Sequence, residues 1–170
     1  MVEPWLRGTL TEFDAVPRQI LHALELADED IERWCSDLDD SEMEVRPFGI
    51  APVGFHLRHI ARSLDRLLSY AEGEQLSADQ LAALSTELTV APNAAATLSE
   101  VRDGIASAME RVKLIAVLSF DEPRFVGRKR LPTTVGGLLV HCAEHTQRHA
   151  GQAITTAKVV VGMRAGVGSA

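Results

Sequence analysis

Apolar residues return at steps of three and four in four long stretches of the chain, and polar residues fill the helical faces between them. In the first stretch Val16, Ile20, Leu24, Ala27, Ile31, Trp34 and Leu38 make one stripe, the mark of an amphipathic helix. The second runs from about residue 52 to 70, with Val53, Leu57, Ile60, Leu64, Leu67 and Ala71 on its apolar face. Pro52 suits a helix start, and Gly73 marks the end. Leu98, Val101, Ile105, Ala108, Val112 and Ile115 predict a third helix, from about Asn93 to about residue 118. Gly104 stands inside it, where glycine costs about 1 kcal/mol against alanine. Thr133 or Thr134 can cap a fourth helix that continues to about residue 160.

Between these stretches the periodicity lapses. Residues 1–15 carry Trp5, Leu6, Leu10 and Phe13 without a period and predict an arm packed along the body. Residues 37–44 form an acidic connection, Ser77 can cap a short helix reaching residue 88, and residues 74–87 make a surface excursion. Residues 119–131 predict a loop, and the glycine-containing residues 162–170 a loose tail. His22 lies off the first stripe and is expected at the surface or in a groove. No stretch alternates as a strand would. The fold class is therefore all-α, a four-helix bundle with a short extra helix between helices two and three. One domain over residues 1–170 is expected, with its bundle core at about 16–160.

Composition narrows the partners. With 46% hydrophobic and 24% charged residues, the 170-residue chain can bury a core of ordinary size. A net charge of −7 argues against a general nucleic-acid binder, because phosphate contacts need a basic surface. The N-terminus has no basic segment followed by an apolar one, and no stretch approaches the roughly 20 apolar residues that span a bilayer. A cytoplasmic protein without membrane or nucleic-acid partners is the expectation, and the charge says little about a small-molecule substrate. Cys35 and Cys142 lie far apart and form no C-x-x-C pair, so both are expected as reduced, packed thiols.

The candidate chemistry lies in the fourth helix, where His141, His145 and His149, three of the six histidines, recur at a spacing of four. That spacing puts side chains a turn apart on one face. His141 and His149 are about 12 Å apart along the axis, and Zn–N bonds are about 2.0–2.1 Å, so one ion cannot take all three. The usable pair is His141 with His145 or His145 with His149. On a helical wheel His149 groups with Leu138, Cys142, Ala153 and Thr156, His145 sits beside them, and His141 drifts toward Arg148, which favours the second pair. A further ligand must come from elsewhere, and His56 and His59 of helix two are the candidates. Spacing alone favours His56, which lies nearer the apolar stripe; His59 lies on the flank with Phe55, Arg66 and Tyr70. The run is not the zinc-protease motif: Thr146 follows His145, and Glu144 precedes it. Glu144 reads as a solvated or supporting carboxylate, and Gln152 as a group that can hydrogen-bond a ligating imidazole or a bound water.

Taken together, His59-Ile60-Ala61 and His145-x-x-x-His149-x-Gly151-Gln152 resemble the DinB/YfiT-like metalloenzyme family over roughly residues 16–158. The resemblance implies a four-helix bundle holding a divalent metal ion, zinc or nickel, on one histidine of helix two and two of helix four. Carried across, the metal ligands are His59, His145 and His149, with His56 and His141 beside the site. Ala150 stands where the family commonly has arginine.

Characterised relatives include isomerases and S-transferases that use low-molecular-weight thiols such as bacillithiol or mycothiol. The resemblance thus implies a metal-dependent transferase, or a related hydrolase or detoxification enzyme, with a small-molecule substrate and in some cases a thiol cofactor. Arg128 and Arg130, in the cluster Arg124, Arg128, Lys129 and Arg130, are candidates to receive the thiol's carboxylates, against the plainer reading of a solvated loop. The alternatives are a non-catalytic, metal-binding or stress-associated bundle that works through partner binding or dimerisation, and a metal-free bundle whose histidines merely pack. A homodimer would be in keeping with paired bundles of this type.

Overall fold

Local capping sets where most of the helices begin. The computed structural model describes residues 2–87, 89 and 93–167, with side chains as far as Arg164. Helix α1 spans Ala15–Cys35 and α2 spans Val53–Ala71, after Pro52. In α3, Ala78–Ser85, the Ser77 hydroxyl accepts from the Gln80 N–H while the Gln80 side chain returns to the Ser77 N–H, a capping box. Asn93 accepts from the Ala96 N–H and starts α4, Ala94–Ile115. The Thr134 hydroxyl accepts from the Gly137 N–H at 3.0 Å and starts α5, Val135–Val167.

Burial of the four stripes joins the long helices into one bundle. Helix α1 packs on α5 and α4, and α2 on α5 and α4, so neighbours run in the order α1, α5, α2, α4. Leu21, Leu24 and Ile31 of α1, Leu57, Ile60 and Leu64 of α2, Ile105 of α4 and Leu139 of α5 are all but fully buried. Each such side chain contributes about 1.5–3 kcal/mol relative to exposure. Among the described residues no helix is long and apolar enough to cross a membrane.

Gly104 has a packing reason. A Cβ there would lie 2.8 Å from Cβ of Ala61 and 3.0 Å from its Cα, so the glycine lets α4 approach α2 backbone to backbone. On an open helix Gly→Ala stabilises by about 1 kcal/mol; here overpacking outweighs that gain. Gly104→Ala is expected to lower stability by about 1 kcal/mol in denaturant titration, and a gain would mean that the two helices can part.

Four local expectations change. Residues 119–131 do not form a plain loop: Pro123–Val126 (β1) and Leu131–Thr134 (β2) pair antiparallel, Pro123 opposite Thr134 and Val126 opposite Leu131. Four-residue strands with prolines and charges carry too little alternation to read as a hairpin. Next, α5 continues through Gly162 to Val167, past the expected end near 160, and Arg164 on it pairs with Glu42 at 2.5–2.6 Å. The loose tail expected from residue 162 is thus helical to 167; residues 168–170 lie outside the described ones. His22 is buried, not at the surface. The N-terminal arm lies on that side of α1, Arg7 pairing with Glu25 and Glu29, and His22 Nδ1 faces Glu25 at 3.3 Å. Lastly, Trp34 is half exposed and stacks under Lys158 Nζ, 3.9 Å from its ring, where the stripe had placed it in the core.

Candidate metal centre

Helices α2 and α5 bring four histidines together in two rungs. In one, His59 Nε2 faces His145 Nε2 at 2.9 Å; in the other, His56 Nδ1 faces His149 Nδ1 at 3.0 Å. The partner numbers fall on α5 as they rise on α2, as expected for antiparallel helices. The rungs merge at His149, whose ring centroid is 4.4 Å from that of His59 and 4.6 Å from that of His145.

One nitrogen from each of His59, His145 and His149 lies within 4.8 Å of the other two, and among the described residues this triad is the group of histidine, cysteine and acidic side chains able to hold a metal ion. The fit to a cation is good on chemical grounds. Two imidazole nitrogens 2.9 Å apart need a proton or a cation to share, and imidazole nitrogen is a preferred ligand of zinc. Burial pushes His145 and His149 down to about 4, with the neighbouring His59 adding to it. Both are therefore neutral at pH 7, the form in which imidazole binds metal. His145 Nδ1 is buried and has no hydrogen-bond partner.

Of the two helix-two candidates, His59 enters the triad and His56 does not. His56 is 5% exposed, and burial holds it down at about 4; it bonds His149 from the side instead. His59 lies on the flank of α2, and that flank faces α5 at the level of His145 and His149. The Phe55 ring stacks on it with centroids 5.5 Å apart. His141 stands at the rim, half exposed, its Nδ1 against Glu144 at 3.1 Å and its ring 5.3 Å from that of His145. Glu144 is exposed and also pairs with Arg148, so it is a solvated carboxylate. Gln152 lines, with Ile50, Ala51, His56, Arg148 and Thr155, a cleft of about 390 Å³ that His56 joins to the histidine cluster. Cys142 is fully buried outside the triad, and burial raises its thiol to about 12; Cys35 is raised likewise.

The cations before α5 stand apart from this site. Arg124 donates to the Ala71 carbonyl at 2.7 Å, which pins the hairpin to the far end of α2. Ala71 is twelve residues beyond His59 (71 − 59), about 18 Å along the helix. Arg130 lies over the Phe125 ring, 4.5 Å from its centroid, on that hairpin. The loop that carries Arg128 and Arg130 is thus anchored toward the end of α2 remote from the histidines, and the structure does not bring these two cations into the triad.

One residue at the site escaped the reading of the sequence. Glu87, 7% exposed, accepts from His59 Nδ1 at 2.9 Å and from Arg66 at 2.5 Å. The excursion that carries it folds back over α2: the Gln80 amide donates to Asp65 at 2.7 Å, and Arg62 donates to the Ala83 carbonyl at 3.3 Å. A signal was present in the row of Arg62, Arg66 and His59 on one flank of α2, two guanidinium groups and an N–H donor that call for an anion.

Comparison with known families gives a match to the model of the DinB superfamily over residues 23–153, well over half of the chain and inclusive of all four clustered histidines. No curated protein matches the chain.

Proposed function

The chain belongs to the DinB superfamily, and from that premise we propose that it is a metal-dependent enzyme in which His59, His145 and His149 hold one divalent ion, zinc or nickel. The observation that carries this reading is a triad of converging imidazoles with no fourth protein donor among the described residues, the pattern of a catalytic and not a structural site. When bound, such an ion supplies Lewis acidity that lowers the pKa of water toward about 7 or stabilises a thiolate.

The chain's own residues supply binding and orientation. His56 Nδ1 meets His149 Nδ1 and fixes the angle of that ring. The cleft beside His56 and Gln152 can receive a small molecule, and its mixed lining of Ile50, Ala51, Thr155 and the Gln152 amide suits a compound with both apolar and hydrogen-bonding parts. The reaction we favour is attack of the sulfur of a low-molecular-weight thiol on an electrophilic carbon: an S–C bond forms as the bond from that carbon to a leaving group breaks, the leaving group departs with the electron pair, and the thiol proton goes to solvent. It draws on family membership and the histidine triad.

The test is consumption of bacillithiol, mycothiol or a simple analogue by zinc- or nickel-loaded protein with a panel of electrophiles. Turnover is expected to depend on both metal and thiol and to fall at least 100-fold in His145→Ala, given what removal of a metal ligand does to an open site. Turnover of another substrate without any thiol would overturn the S-transferase part and leave the metal site standing.

A further inference from the structure

Glu87 is a buried carboxylate that neither the capping of α3 nor the packing of the core requires. Its two oxygens divide their work: Oε1 takes the Arg66 guanidinium at 2.5 Å and Oε2 faces His59 Nδ1 at 2.9 Å. A carboxylate accepts and does not donate, so the nitrogen that faces it carries the proton. In its metal-binding, neutral form an imidazole holds one N–H, so with Nδ1–H facing Glu87 the lone pair is on Nε2 of His59, the nitrogen turned toward His145.

From this geometry we infer that Glu87 is a positioning residue: it fixes His59 in the Nδ1–H tautomer and sets the plane of its ring, so that Nε2 is presented to the triad. Arg66 holds the carboxylate in place, and the Phe55 ring stacks on the imidazole, interplanar angle 15°. Contacts to Glu87, Phe55 and His145 thus fix an imidazole that would otherwise turn about its last torsion. His149 is oriented by another imidazole, His56, and His145 Nδ1 has no partner, so His59 is the member of the triad held by a charge. Carboxylates that hold metal-binding histidines in this way raise ligand basicity, and their loss commonly lowers metal affinity 10–100-fold. The excursion between α2 and α4 then has a use, delivering one side chain to the centre through its clamps on Asp65 and Arg62.

The hold on the tautomer stands independently, whereas its consequence for affinity rests on the metal reading above. The test therefore has two readouts, the His59 tautomer in metal-free protein from long-range ¹H–¹⁵N imidazole spectra, and zinc affinity by competition with a chromophoric chelator. Wild type is expected to show His59 as Nδ1–H. Glu87→Ala is expected to lose that preference and to bind zinc 10–100-fold more weakly. Glu87→Gln retains an acceptor oxygen and is expected to keep the tautomer and most of the affinity, a rescue that general loosening of the fold would not give. His59 as Nε2–H in the wild type, or an unchanged tautomer and affinity in a folded Glu87→Ala, would overturn the inference. A wild type that binds no zinc but loses the Nδ1–H preference in Glu87→Ala would support the role of Glu87 and overturn the metal reading instead.

Discussion

His145→Ala is expected to take the protein from about one bound Zn²⁺ or Ni²⁺ per chain to none, read by elemental mass spectrometry on tag-free protein after dialysis against the ion. His145 touches both other members of the triad, its Nε2 2.9 Å from His59 and its ring 4.6 Å from that of His149. Without it only two imidazoles converge, on different helices, too few to hold a divalent ion against buffer. His59→Ala is expected to lose the ion as well, since it removes the only contribution of α2 to the triad among the described residues. His56→Ala is expected to retain it with weaker affinity, because His56 touches His149 from outside the triad. Folding should survive these changes: the rings of His59 and His145 are partly open to solvent, and alanine is the best helix former. The ion lost with His56 but kept without His59 would move the helix-two ligand to His56. A wild type that takes up no ion would return all four histidines to packing.

What could be read from the sequence and what could not divide along a physical line. The stripes Leu57, Ile60, Leu64 and Val101, Ile105, Val112 report burial along a single helix, a one-dimensional signal, and the four long helices follow from them. The spacing of His145 and His149 is of the same kind. The choice between His56 and His59 is not, because it depends on which flank of α2 faces α5, a matter of the angle between two helices. The apolar stripe pointed to His56, which is indeed the more buried of the two; the family resemblance pointed to His59, which is the one the fold places with the α5 pair. Gly104 read as a mild flaw because Ala61, the reason for it, is on another helix. Glu87 was hidden for the same reason. Its neighbours in sequence are those of a solvated excursion, and only the return of that segment over Arg66 and His59 buries it.

Metal-free protein is expected to lose about 3 kcal/mol of stability between pH 7 and pH 4.5, as the cost of keeping the clustered imidazoles uncharged rises. His56, His145 and His149 each lie at about 4 in the fold, against 6.5 for a free histidine, with burial the main cause and neighbouring His59 the next. Above pH 6.5 both folded and unfolded chains carry these rings neutral, and they add no pH dependence. As pH falls from 6.5 toward 4 the unfolded chain takes up protons that the folded one refuses, so stability declines across that window and levels off below it. For His56, buried at 5% exposure, the shift alone corresponds to about 3 kcal/mol once complete. His145 and His149 are partly open to water, which screens their share. Arg7 holds Glu29, and Arg164 holds Glu42, below the usual carboxylate values, so the loss of those two pairs comes at lower pH. Asp28, raised by burial, acts weakly in the opposite sense. Urea titrations at pH 7, 5.5 and 4.5 after removal of metal by chelator measure the slope. His56→Gln, polar but without a titrating ring, should flatten a large part of it. An equally steep decline in that variant would place the acid sensitivity elsewhere, and a flat profile in the wild type would mean that the rings reach water freely. The same desolvation that makes the cluster acid-sensitive keeps its lone pairs free at neutral pH, and that is the condition a divalent ion requires.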